Sequence, residues 1–379
     1  MFKIEKVDSE DIFRNLESDW DSLLKASDSN TVFLTWAWLF NWWKVYRQGK
    51  ELFILLAKDE HKILGIAPLF LKKSKIFGIT SFVQLCFLGS EDVGSDYLDI
   101  ITEKGNEIRV IEAFLNYFES DFKKWNLLKL TDFSKNSKVL QVLYRRGPKE
   151  KYHLIISKKS ICPYISLTTK WEDYLESLSR SMQYNLRRKK KRLGNDFNAK
   201  FKIVSDQKQL GYGMDDFIQL NRERAKFKGI RGAFLSEKFV EFHKNILPTF
   251  FDRDMLRIFF ILADCKPISG LYVFKYNQKY LYYQSALDMK WNKASPGLVL
   301  FGYCIENAIK EGMKEFDFLR GREKYKFQWT KEYRENFKVF IFNHSFLSHF
   351  TFLTKKLILT FNGIIKGILV NNHSIVLNN

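Results

Sequence analysis

Cysteine is scarce and scattered in this chain. There are four among 379 residues, at Cys86, Cys162, Cys265 and Cys304, and no C-x-x-C pair occurs. That spacing excludes a zinc ribbon and a dithiol redox motif, and it suits a reduced, cytosolic setting. Histidine is equally unhelpful to a metal. His61, His153, His243, His344, His349 and His373 make no H-E-x-x-H and no tight grouping with carboxylates, so no metal site is expected. The G-x-S-x-G elbow and the G-x-x-x-x-G-K loop are missing too, which argues against an α/β-hydrolase and a P-loop nucleotidase. No window holds the ~18 uncharged apolar residues of a membrane span. The opening FKIEKVDSEDIF is too polar for a secretory leader, so a cytoplasmic location is expected.

Acidic residues are in deficit. Lys and Arg number 62 against 43 Asp and Glu, a formal charge of +19. Such an excess implies an anionic partner: a nucleotide, a polyphosphate-linked lipid, an anionic membrane face or a nucleic acid. Richness in Lys, Phe, Asn and Ile is also what an A+T-rich genome yields, so part of the charge needs no partner. Apolar residues make up 46% and aromatics 16%, which rules out a disordered chain. The length suits two ordinary domains, each with its own core.

What is present is concentrated in Tyr280–Trp329. Tyr280–Ala286 alternates and is aromatic-rich, the pattern of a strand. Ser295-Pro296-Gly297 is a helix-entry signal, and Leu298, Phe301, Ile305 and Ile309 recur on one helical face until Gly312. Lys314–Phe318 is a second short strand. Free N–H groups at a helix start between two strands form a seat for phosphate. The alternation of Phe316, Asp317 and Phe318 sends the two rings to the core and Asp317 to the other side, where a cleft is expected. Asp288 ends the first strand, either to receive a proton or to cap a turn. Arg320, Lys324 and Lys326 follow on a cation-rich loop suited to clamping phosphates.

An internal repeat organises the rest. Phe53-Ile-Leu-Leu-Ala57, a turn and Ile63-Leu-Gly65-Ile66 match Phe259-Phe-Ile-Leu-Ala263, a turn and Ile268-Ser-Gly270-Leu271. Strands at Ser81–Leu88 and Tyr97–Ile101, a helix at Glu107–Phe122 and a strand at Leu127–Thr131 then parallel the order of elements in Tyr280–Phe318. Duplication of an α/β unit explains this. The first copy has no S-P-G, and its counterpart Gly89–Asp96 carries Glu91, Asp92 and Asp96, which repel phosphate. A phosphate-bearing ligand is therefore expected on the second copy, and the first is a site for another ligand or scaffold. A helix at Leu16–Lys25 and an aromatic helix at Thr35–Trp43 open the chain, the latter either under the first sheet or lining an acceptor cleft.

Between the copies lies Trp171–Leu193. Leu175, Leu178, Met182, Leu186 and Leu193 share a helical face, and Arg187–Arg192 is an unbroken run of six cations. A solvated helix end, a site for a diphosphate or other anion, and nucleic-acid contact are the three readings, the last without any accompanying fold signature.

The pattern Y-Y-x-S-A-x-D, S-P-G, G-x-x-x-F-D-F-x-R-G, Y-K-F-x-W resembles the GNAT-superfamily acyltransferases of bacterial cellulose and exopolysaccharide clusters, relatives of the Fem peptidyltransferases. The resemblance covers Trp171–Trp329 well and the N-terminal third loosely. It implies an α/β fold of tandem GNAT-like domains, each a mixed, mostly antiparallel sheet flanked by helices. The expected divisions are 1–168, 169–344 and a C-terminal amphipathic helix and tail at 345–379. It implies direct attack of an amine on a thioester, with acyl-CoA (acetyl-CoA) as co-substrate and no metal. Tyr283, Gln284 and Ser285 would lie on the strand that holds the thioester, with Tyr283, Asp288 and Asp317 as catalytic candidates. Ser295, Pro296, Gly297, Arg320 and Lys326 would hold the donor's phosphates, and Asn185, Arg187 and Arg188 the anionic part of the substrate. The superfamily's glycine-rich phosphate loop is replaced here by Ser295-Pro296-Gly297. That leaves room for a Fem-like aminoacyl-tRNA donor, or for a non-catalytic protein that binds glycan or lipid carrier. The implied acceptor is an amine-bearing envelope precursor, such as an amino sugar; DNA is not expected.

Phe346, Phe350, Leu353, Leu357, Phe361, Ile364 and Ile368 recur at spacings of three and four, with Lys355 and Lys366 off that face. The two readings are a helix capping the second domain and an interfacial helix on anionic lipid, which would place the protein on the inner face of the plasma membrane through 345–371.

Overall fold

The computed structural model describes residues 2–76, 80–146 and 152–358. The chain begins with β1 (Lys3–Val7), α1 (Glu10–Asn15), α2 (Glu17–Lys25) and α3 (Trp36–Tyr46). Strands β2 (Lys50–Asp59), β3 (Lys62–Ile76), β4 (Thr80–Phe87) and the short β5 (Ile101–Thr102) follow. Then come α4 (Glu107–Ser120), β6 (Leu127–Ser134), α5 (Lys138–Arg146) and β7 (Tyr152–Ser166). The second half runs α6 (Trp171–Ser177), α7 (Arg180–Phe197), β8 (Lys200–Ile203), α8 (Gln207–Lys228) and α9 (Glu237–Asp252). It continues with β9 (Leu256–Ala263), β10 (Lys266–Tyr276), β11 (Lys279–Leu287), α10 (Pro296–Lys310), β12 (Glu315–Asp317) and β13 (Tyr333–Asn343).

The repeat is real, and the two copies are interlocked. The strands join in one sheet ordered β1-β2-β3-β4-β6-β13-β7-β12-β11-β10-β9-β8, with β5 on β3. Neighbours are antiparallel except β4 with β6 and β11 with β12, the same position in each half. Read from either edge, the order is the same in repeat terms, save that the final strands have changed places. β7 closes the first half in sequence but pairs with β12, and β13 closes the second half but pairs with β6. The exchanged strands lie side by side from Tyr333 opposite Pro163 to Asn343 opposite Tyr152.

The division at 168 therefore follows the chain but not the sheet. Nor does it divide the core, because one apolar cluster runs from Val7 through Trp38, Phe242 and Phe274 to Ile341. The aromatic helix α3 shows why. Thr35 caps it, accepting from the Trp38 N–H. Its Trp42 packs on Phe70 of β3, but Trp38 stands edge-on to Phe242 of α9 and Phe274 of β10, with centroids 4.8 and 5.4 Å away. Each such buried ring contributes roughly 1.5–3 kcal/mol. α3 is thus shared by both halves rather than lining a cleft.

Other expectations shift at their ends. Trp171–Leu193 is two helices, because Ser179 caps α7 by accepting from the Met182 N–H at 3.3 Å and turns the chain after Leu178. Tyr97–Ile101 is mostly loop, with Tyr97 at φ 57° and strand structure only at Ile101–Thr102. The helix over 346–358 packs Leu347 and Phe352 against Phe82, Leu127, Phe340 and Phe342. It therefore caps the first half's sheet, where β13 delivers the chain, and not the second domain. Phe346, Phe350, Leu353 and Leu357 face solvent, with Phe346 88% exposed. Phe361, Ile364, Lys366 and Ile368 lie outside the described residues. No helix among those described is long and apolar enough to cross a membrane.

Gly65, in the first repeated hairpin, allows α4 to lie directly on β3, and a Cβ there would collide with Val110. Gly65→Ala is expected to destabilise the protein by about 1–3 kcal/mol in urea unfolding. Much of that loss should vanish in a Val110→Ala background, where the collision is removed.

Candidate functional site

The parallel pair β11 and β12 touches only through Lys279–Leu281 and Glu315–Asp317, after which β11 runs on to Leu287 paired with β10 alone. The strands part at Asp317. Along the same stretch β11 carries a bulge: Gln284 faces Tyr272 and Tyr282 faces Val273, leaving Tyr283 as the extra residue. The β3–β4 pairing in the first half is regular from Leu69 opposite Phe87 to Ile76 opposite Thr80. A bulge re-aims side chains and backbone groups, so the halves differ where the strands diverge.

Phe316 and Phe318 enter the apolar cluster under α10, and Asp317 turns the other way. Its carboxylate, 1% exposed, lines a cavity of ≈ 440 Å³ between the halves. Asp28, Asn30, Tyr97, Asp99 and Glu107 come from the first half, and Tyr276, Lys279, Asp317 and Arg334 from the second. Asp317 accepts from the Tyr97 hydroxyl at 2.7 Å, the Leu319 N–H at 2.7 Å and Arg334 Nη1 at 3.3 Å. Burial and the neighbouring Glu315 raise its carboxyl to about 7, against the pull of Arg334 and Tyr97. Burial also lifts Asp99 to about 7, although Ser137 and the Ile100 N–H favour its charge. Two carboxyls thus share one cavity, both poised near neutrality.

Tyr283 is half-buried among aromatics on the interface between halves. Its hydroxyl donates to the Val93 carbonyl and lies 3.2 Å from His243 Nε2, whose Nδ1 is 3.3 Å from the Tyr272 hydroxyl. Burial depresses the His243 imidazole to about 3, so it bridges the two tyrosines as a neutral ring. Gln284 is half-buried beside it. The Ser285 carbonyl accepts from Asn221 Nδ2 at 2.8 Å, and its hydroxyl from Arg224 Nη1 at 3.0 Å. Asp288 caps the turn after β11, accepting from the Lys290 N–H at 3.0 Å.

The start of α10 is uncapped. Ser295 sits at φ 58° and its side chain makes no capping bond, Pro296 is first in the helix, and open space surrounds the position a Gly297 Cβ would take. Ser295 lines a shallow groove of ≈ 880 Å³ with Asn185 and Lys189 of α7 and the segment 327–332. Asn185 and Ser295, predicted for different ligands, thus share one groove. Arg187 and Arg188 face solvent beyond it, Arg188 lying 5.5 Å over the Tyr184 ring.

Two predicted phosphate clamps point inward instead. Arg320 contacts Asp96 (Nε to Oδ1, 2.9 Å) and Asp132 (Nη2 to Oδ1, 3.0 Å), both buried in the first half. Asn336 of β13 donates to the same Asp96 at 2.8 Å, and Lys159 of β7 pairs with Asp132. The acidic loop that was expected to repel phosphate thus has a structural use. Lys326 is buried and donates to the Arg320 carbonyl at 2.7 Å, beside Glu323 at 3.1 Å. Tyr325 reaches Tyr282 of β11 (hydroxyls 3.2 Å apart) and packs on Phe301 of α10. Together these contacts tie the segment after β12 to β11 and α10. Tyr97, Asp99, Arg334 and His243 gave no local sequence signal, since each acquires its place through partners far along the chain. His153, His344 and His349 also converge, with His349 Nδ1 2.9 Å from His153 Nε2, although no group of three ligands among the described residues is placed to hold a metal.

Two repeats in one continuous mixed sheet, each with a central parallel pair and flanking helices, make a tandem GNAT-type fold, the second half bearing the bulge and the open helix start. Residues 180–327 match the family model of the acetyltransferase (GNAT) domain. The structure of FemX is similar at TM-score 0.60 and 11% identity, over 90% of this chain and 97% of that one. A conserved protein of unknown function from Bacteroides thetaiotaomicron follows at TM-score 0.55 and 12% identity, covering 90% and 100%. L-PGS from Bacillus licheniformis is similar at 0.52 and 11%, covering 90% and 95%. At these identities the likeness is one of fold. No curated protein matches the sequence.

Removing Arg320 would leave the buried Asp96 without a cationic partner, while Asp132 would keep Lys159. Arg320→Leu is expected to lower stability by about 3–5 kcal/mol in urea unfolding, with part recovered on adding Asp96→Asn.

Proposed function

We propose that the second half transfers an acyl group from an activated, anionic donor to a primary amine bound in the cavity between the halves. One observation carries this reading: Asp317 is buried, held near neutrality, and faces that cavity where β11 and β12 part. The amine nitrogen attacks the acyl carbonyl carbon, the bond from that carbon to the leaving thiolate breaks, and the ammonium proton goes to Asp317. Free N–H groups along β11 beyond Leu281 would stabilise the oxyanion. Tyr97 and Arg334 orient the carboxylate rather than react.

The donor we favour is an acyl-CoA-type thioester, its phosphates at the α10 N-terminus beside Asn185 and Lys189. An uncapped helix start favours an anion through its dipole and its unpaired amides. The acceptor fits an amino sugar or related envelope precursor, because Asp28, Ser29, Asn30, Asn136 and Ser137 offer hydrogen-bonding groups for a polyhydroxylated amine. Cavities of this size suit such a ligand. A second reading, transfer from aminoacyl-tRNA as in the Fem peptidyltransferases, is favoured by the solvent-facing cations of α7.

Calorimetric titration with acetyl-CoA and a longer acyl-CoA separates the two donors. Saturable binding that weakens in Lys189→Ala supports the thioester, and no binding to either moves the reading to aminoacyl-tRNA.

With an acceptor in hand, kcat/KM should rise with pH and level off above about pH 7, because the base must be ionised. Asp317→Asn should lower it by about 10²–10⁴-fold. Stability should move oppositely. The folded carboxyl binds its proton more tightly than the usual 3.8 allows, so stability present at acid pH is lost as pH rises from about 4 through about 7. Asp317→Asn should remove that carboxyl's share of the loss in pH-dependent melting and leave the share of Asp99.

A further inference from the structure

The end of α8 and the turn into α9 form a surface that acyl transfer does not use. Phe227, Ile230 and Leu235 are 73%, 54% and 42% exposed there. Lys226, Lys228 and Arg231 are interleaved with them and exposed, and none forms an ion pair among the described residues. The carboxylate of this segment, Glu237, is taken by Arg222 at 2.7 Å.

The segment is built, not slack. Gly229 in the left-handed conformation ends α8, and a Cβ at Gly232 would come within 2.7 Å of the Ala225 Cβ, so the chain folds tightly back. Phe234 is fully buried edge-on to Phe217 and Phe239, and its carbonyl accepts from Arg222 Nε at 2.7 Å. One ring anchors the turn while three large apolar side chains are held in water among unpaired cations.

We propose that residues 226–235 rest on the surface of an anionic lipid bilayer. Each half of the pattern has a partner there: cations meet anionic headgroups, and apolar side chains enter the headgroup–acyl boundary. A nucleic acid would match the charge but stacks on planar rings, and two of the three exposed apolar side chains are aliphatic. The contact lies one turn beyond Asn221 and Arg224, which hold Ser285 of β11. It would therefore bring the end of that strand close to the membrane, within reach of a lipid-borne substrate.

The test is co-sedimentation of the full chain with vesicles of phosphatidylcholine alone or mixed with phosphatidylglycerol. Partitioning is expected to be at least about tenfold greater on the mixed vesicles. Phe227→Ser/Ile230→Ser and Lys226→Gln/Lys228→Gln/Arg231→Gln should each lower it about tenfold, leaving thermal melting unchanged. Phe346→Ser/Phe350→Ser, in the exposed face of 346–358, should leave it intact. Equal partitioning on both vesicles would overturn the proposal. So would wild-type partitioning by the two loop variants, whether the helix variant loses binding instead or the loop variants lose only the binding of a bulk tRNA probe.

Discussion

The exchange of β7 and β13 governs the architecture. Neither half can complete its own sheet, so each borrows the last strand of the other, and the two borrowed strands then pair along their full length. β12 has only three residues and is held between β11 on one side and β7 on the other. The site depends on that clamp, because the place where β12 stops sets where the second edge of β11 is left open and where Asp317 points. Arg320 fastens the arrangement from inside, joining the exit of β12 to Asp96 and Asp132 while Asn336 and Lys159 tie both exchanged strands to the same carboxylates. Buried charge of this kind adds little net stability over apolar packing, but it tolerates few alternative registers.

Duplication has been followed by division of labour. Both halves keep the parallel pair at the centre, but only the β10–β11 pairing carries the bulge beside it. The first half has turned the equivalent loop into a staple, with Glu91 paired to Lys129 and Asp96 to Arg320. Its cavity wall, contributed by Tyr97 and Asp99, completes a site whose other wall belongs to the second half. The cavity is thus a property of the pair.

Local patterns carried much of this. Alternation at Phe316, Asp317 and Phe318 announced which way the carboxylate faces, because in a strand the two sides are strictly alternate. The Ser-Pro-Gly entry to α10 and the repeated hairpins were equally legible. Arg320 and Lys326 were not: a cation-rich loop suggests a phosphate clamp, yet their partners are Asp96, Asp132 and carbonyls of the same loop. Asp96 lies more than two hundred residues away, and no local window contains it. α8 and α9 drew no expectation, and with them went His243, whose neutral bridge between Tyr272 and Tyr283 exists only once three elements meet.

By itself, the sequence determined an α/β repeat, the open start of α10 and the orientation of Asp317, all of which follow from side-chain period and capping residues within a few tens of residues. Tertiary structure decided that the repeats exchange their final strands, that Asp317 and Asp99 share a cavity and titrate near neutrality, and that two expected clamps are structural ties. Those outcomes depend on burial and on partners brought together across the whole chain, and desolvation is a property of the assembled fold.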